Sequence, residues 1–91
     1  MKDCIDVEAV TKRLKRIEGQ VRGIMKMIEN NKPCEDIIIQ IGSIKAALHK
    51  TGQIILEWHL HNCMKEAIEN NNSERAMNDL LTALNQFSKI V

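Results

Sequence analysis

Ile37, Ile41, Ile44, Leu48, Thr51, Ile55 and Trp58 recur at steps of 4, 3, 4, 3, 4 and 3. A repeat of seven residues held this long marks a helix that packs nearly along another helix. A second apolar row, Ile38, Ala46, Ala47, Ile54 and Leu56, widens the stripe. Such a helix must be covered on more than one side. Pro33 suits the start of this helix, and Asn70-Asn71-Asn72 breaks the pattern. The spacing therefore predicts one helix over about 33–69, roughly 55 Å long at 1.5 Å per residue. The rest of a chain of 91 residues cannot bury it in a compact monomer.

Two shorter helices flank it. Val7, Val10, Leu14, Ile17, Val21, Ile24 and Ile28 carry the same heptad spacing, which predicts a helix over about 6–30, with Asp6 placed to cap it. Gly19 and Gly23 interrupt that run and suggest close approach to something. Asn30-Asn31-Lys32-Pro33 ends it, since Asn tolerates the left-handed C-cap. After residue 72, Ser73 reads as the cap of a third helix over about 73–90, with Glu74 at its first position and Met77, Leu80, Leu81, Leu84, Phe87 and Val91 on its apolar face. The expectation is an all-α chain of three helices, residues 1–91 forming a single domain.

Composition agrees. There is one Pro, four Gly, one Trp, one Phe and no Tyr, too few turn and aromatic residues for a β-rich domain. No stretch approaches the ~18 apolar residues of a membrane span, and no signal-peptide pattern is present. The expected setting is the cytoplasm, where thiols stay reduced and serve more often as ligands or core residues than as disulfides.

Cys34 lies at one end of the long helix, and His59, His61 and Cys63 lie near the other. His59 is roughly 37 Å from Cys34 along an α-helix, so one copy cannot bring both ends to one ion. An antiparallel second copy can. Residue i then lies beside residue j when their sum is constant, and matching Cys34 to His59 and Cys63 puts the two-fold axis near Ala46-Ala47, where small side chains let backbones approach. His59 and Cys63, four residues apart, share a helical face. His61 falls on nearly the opposite face and is set aside, as is His49. Two thiolates and one imidazole suit Cu(I); Zn(II) is a surrogate that would want a fourth ligand. The bland alternative is that the cysteines are small buried hydrophobes and the histidines surface residues. Cys4 reads as a terminal residue, an extra ligand or redox partner at most.

The run Arg13-Leu14-Lys15-Arg16-Ile17-Glu18-Gly19-Gln20-Val21-Arg22-Gly23-Ile24 resembles the signature of the copper-sensing operon repressor family and its nickel/cobalt- and formaldehyde-sensing relatives. Cys34, followed by Glu57-Trp58-His59 and Cys63, is similar to that family's copper-site pattern. The resemblance spans nearly the whole chain. It implies an all-α DNA-binding repressor: an antiparallel dimer with a four-helix-bundle core, arranged as a dimer of dimers, that leaves its operator when effector binds. The Cys34, His59, Cys63 set matches the copper subtype. Nickel/cobalt sensors carry His where Cys63 stands, formaldehyde sensors have Pro where Lys2 stands, and persulfide sensors lack the His. Pro33 stands where copper sensors often have Tyr. Asp79 stands near the position of a Glu that supports the ligand His, one methylene shorter. The alternative within the same fold is a persulfide or thiol-oxidation sensor using Cys34 and Cys63.

Between residues 11 and 22, Lys12, Arg13, Lys15, Arg16 and Arg22 face only Glu18, a local charge of +4 in a chain of net +1. Lys45 and Lys50 could extend the patch. Operator DNA is the expected partner of this surface, beside homodimer or homotetramer contacts, and no membrane is expected. A Cys–His pair could also suggest an enzyme. No acidic orienter stands beside His59, however, and three helices leave no room for a substrate cleft. A metal-stapled dimer that never meets DNA would not need the basic helix.

Overall fold

The computed structural model describes residues 6–89, except for the side chain at position 63. Every element among them is helical: α1 (Val7–Glu29), α2 (Cys34–Trp58), a π-helical turn (His59–Cys63), α3 (Met64–Glu69) and α4 (Ser73–Ser88). The run from Cys34 to Glu69 is the long second helix of the sequence reading, so the three expected helices are present. The difference lies inside it, where five residues adopt the wider π turn instead of continuing the α-helix. No helix among the described residues is long and apolar enough to cross a membrane.

The chain divides into two compact units. Val7–Ile54 make up one, and the helical residues from Ile55 onward belong to the other.

In the first unit α1 and α2 form a hairpin. The turn is built by Asn31, which takes φ 55°. Its N–H donates to the Ile28 carbonyl (3.2 Å), and the Lys32 N–H donates to that of Met27 (3.0 Å). These are the two bonds of a Schellman cap, which satisfies carbonyls left orphaned at a helix end. The Pro33 carbonyl then accepts from Asp36 and Ile37, opening α2 one residue after the proline. Val10 and Ile17 on α1 and Thr51 on α2 are buried. The Thr51 hydroxyl donates to the Ala47 carbonyl at 2.8 Å, so a polar group sits in the heptad stripe without an unmet bond.

The second unit contains the end of α2, the π turn, α3 and α4, with Met64 and Leu80 buried. Asn71 repeats the device of Asn31 with φ 59°. Its N–H donates to Ile68 and that of Asn72 donates to Ala67. The Asn72 carbonyl accepts from Ala76, so Asn72, and not Ser73, is the N-cap residue of α4.

Much of the apolar surface stays uncovered in the single chain. Ile38, Ile41 and Leu48 of α2 are about half exposed or more, as are Val7, Leu14, Val21 and Ile28 of α1. Gly23 and Gly42 have open space around them, so nothing among the described residues explains glycine at either helical position.

Candidate metal centre and nucleic-acid interface

The expected ligands stand at the two ends of the long helical run. Cys34 is the first residue of α2, with a free and exposed thiol. His59 opens the π turn and is half-buried, and Cys63 closes it. The Cys63 side chain and all of Cys4 lie outside the described residues. Among the described residues, no group of three His, Cys, Asp or Glu side chains gathers within one chain.

The π turn has a local cause. His, Asn and Cys are weak helix formers, and they follow one another in His59-Leu60-His61-Asn62-Cys63. The heptad run also stops at Trp58: the next positions at the same spacing are Asn62, Lys65 and Glu69, all polar. The Asn62 amide donates to the Trp58 carbonyl at 3.0 Å, and the Met64 backbone N–H reaches back five residues to His59. Turns of this kind occur mostly singly within α-helices and often at functional sites. The candidate ligand pair thus brackets one widened turn. Sequence reasoning missed Asn62; the end of the heptad at Trp58 was the available signal.

His61 is exposed and, with Glu57, Trp58 and Asn62, lines a shallow pocket. Asp79 is exposed on α4 and lines a depression with Asn71, Asn72, Glu74, Arg75 and Asn78. No hydrogen bond joins it to His59 among the described residues.

The basic residues of α1 separate into two groups. Residues advance about 100° each around the helix. Arg13, Arg16 and Gln20, at steps of three and four, share one side. Together with Ile17 of α1 and Ala47 and Thr51 of α2 they line a groove of about 190 Å³. Arg22 lies across the helix from them, its guanidinium 3.6 Å from Glu18. Arg13 and Arg16 have no such carboxylate partner among the described residues. Lys12, Lys15, Lys45 and Lys50 are exposed and outside the groove lining. Gln20 was not singled out from the sequence, although its register with Arg13 and Arg16 was readable there.

Comparison with known proteins agrees with this architecture. The family described as "metal-sensitive transcriptional repressor" matches residues 2–86. The chain is 44% identical to the copper-sensing transcriptional repressor CsoR of Bacillus subtilis over 82 residues, 90% of this chain and 81% of that protein. It is 46% identical over 57 residues to the copper-sensing transcriptional repressor RicR of Mycobacterium tuberculosis, covering 63% of this chain and 59% of that one. Its fold matches the crystal structure of the copper-sensing repressor CsoR with Cu(I) from Geobacillus thermodenitrificans with a TM-score of 0.89 at 45% identity, covering 92% and 88% of the two chains. The nickel-responsive transcriptional regulator InrS matches with a TM-score of 0.79 at 33% identity, covering 90% and 92%. The kinship is with transcriptional regulators and not with enzymes. The chain belongs to the metal-sensitive transcriptional repressor family.

Proposed function

We propose that this chain is a Cu(I)-responsive repressor that binds operator DNA without metal and releases it when Cu(I) enters a site shared between two chains. Cys34 of one chain and His59 with Cys63 of its partner supply the ligands. The observation that carries the reading is the pairing of this donor set with kinship: two thiolates and one imidazole are a soft, low-coordinate set, and the B. subtilis and G. thermodenitrificans proteins are copper-sensing. Zn(II) would want a fourth ligand from this set, which makes it a poorer occupant. The reading places the protein in the cytoplasm, with reduced thiols and access to DNA.

The assembly is an antiparallel dimer through α2, and two dimers make a tetramer. Support comes from the exposed Ile38, Ile41 and Leu48 and from the open space around Gly42. The Cys34 thiolate at the start of one α2 and the His59 imidazole and Cys63 thiolate of the partner's π turn would hold the Cu(I), which would supply a link between the two chains. His59 stands at the mouth of the π turn, and its second ring nitrogen needs an acceptor to fix the tautomer. We assign that part to Asp79, in the same unit, the contact forming in the metal-bound state. Coupling is reciprocal: whatever factor the metal takes from DNA affinity, DNA takes from metal affinity.

On the DNA side, Arg13 and Arg16 face phosphates, with Lys12, Lys15, Arg22, Lys45 and Lys50 adding to the field. A gel shift of the metal-free chain on operator DNA, with and without Cu(I), tests the reading. The expected result is a complex lost on adding Cu(I). A complex indifferent to Cu(I) but lost after sulfide donors would move the assignment to thiol oxidation through Cys34 and Cys63.

A further inference from the structure

The groove between α1 and α2 holds two kinds of polar group. Arg13 and Arg16 are cations without a carboxylate partner among the described residues and are suited to phosphate. Gln20, aligned with them on the same side of α1, is neutral. A neutral carboxamide releases no counterion on meeting DNA, so it adds little to sequence-independent attraction. Nor does the fold use it. Its side chain is exposed and makes no hydrogen bond among the described residues. A primary amide does offer one donor and one acceptor side by side, the complement of the adenine N6 amino group and N7 in the major groove.

We propose that Gln20 is the base-reading residue of this surface: it contacts an adenine edge while Arg13 and Arg16 hold the flanking phosphates. The inference rests on the DNA-binding reading above and adds a sequence determinant to it. Burial of Ile17 and Thr51 beneath the groove gives the three side chains a fixed floor. Glu18 holds Arg22 on the far side of the helix, so the second cationic group does not crowd the reading edge.

The test is selection from a random duplex pool by the metal-free full chain, followed by affinity measurements over a salt series. Wild-type protein should enrich a motif containing adenine. Gln20→Ala should lose preference at that position and bind the wild-type motif roughly 5- to 150-fold more weakly. Its affinity for random duplex and its salt slope should not change. Gln20→Glu, nearly isosteric, should move the preference toward cytosine, whose N4 amino group a carboxylate can accept. Arg13→Ala should instead weaken motif and random duplex alike and reduce the salt slope by about 1. If Gln20→Ala and Gln20→Glu, both with wild-type helicity, enrich the same motif as the wild type, the assignment of Gln20 is wrong while the repressor reading stands. If the wild type itself enriches nothing, both fail.

Discussion

The side-chain amide of Asn62 donates to the carbonyl of Trp58 at 3.0 Å, within the widened turn that carries His59 and Cys63. That bond satisfies a carbonyl at the point where the α-helical ladder is interrupted. It makes Asn62 a positioning residue for the candidate ligand pair, although it offers no metal ligand itself.

Asn62→Leu should therefore loosen the π turn without removing a ligand. An exposed hydrogen bond of this kind contributes about 0.5–1 kcal/mol, so Cu(I) affinity should fall roughly two- to fivefold. Competition titration against a Cu(I) chelator measures it. An unchanged affinity would show that the side-chain bond does not hold the ligand pair in place.

The two left-handed asparagines give a stability prediction independent of metal. Asn31→Ala or Asn71→Ala keeps a Cβ at φ 55° or 59° but loses the short polar side chain that lets Asn tolerate this conformation, at a cost of about 1 kcal/mol each. Asn→Gly at the same positions should be neutral or stabilising. Thermal unfolding at fixed chain concentration reads both, and an alanine variant as stable as wild type would contradict the cap assignment.

These caps show what the sequence made legible. Asn30-Asn31 and Asn70-Asn71-Asn72 announced both helix ends, because few other residues tolerate that backbone conformation. The heptads announced the helices themselves. The π turn did not follow from the heptads, since periodicity describes side-chain faces and a change of backbone bonding leaves only a stop in the pattern at Trp58. Nor did the division of the basic patch. A count of charges over residues 11–22 treats Arg13 and Arg22 alike, whereas the three-dimensional register places one in a groove and the other against Glu18. Residue type and spacing single out Cys34, His59 and Cys63 as candidate ligands, and their role in holding a metal belongs to the proposed function.

Thr51 is 3% exposed and already bonded to Ala47. Thr51→Val keeps the shape and removes both the hydroxyl and its need for a partner, so stability should change by less than about 1 kcal/mol. Thr51→Asp puts a charge into the floor of the groove and should cost several kcal/mol, with loss of DNA binding. Denaturant melts and gel shifts together separate these outcomes. A severe loss in Thr51→Val would mean that the hydroxyl has a role beyond the helix bond.

Glu18→Gln frees the Arg22 guanidinium from its 3.6 Å partner and removes a negative charge from the basic helix. Affinity for DNA should rise a few-fold at low salt and the gain should shrink as salt increases. Weaker binding would show that Glu18 orients Arg22 for contact and does not merely restrain it.

The central claim is that the metal site is shared between chains, and complementation tests it most directly. Cys34→Ala and His59→Ala variants, each mixed with itself, should bind no tight Cu(I). Co-refolded in equal amounts, half of the dimers pair one of each. In every such dimer one site regains Cys34 from the His59→Ala chain and His59 with Cys63 from the Cys34→Ala chain. Tight binding by chelator competition should return to roughly a quarter of the wild-type capacity if dimers form at random and have two equivalent sites. No recovery in a mixture shown to contain mixed dimers would contradict the account, as would wild-type affinity in either variant alone.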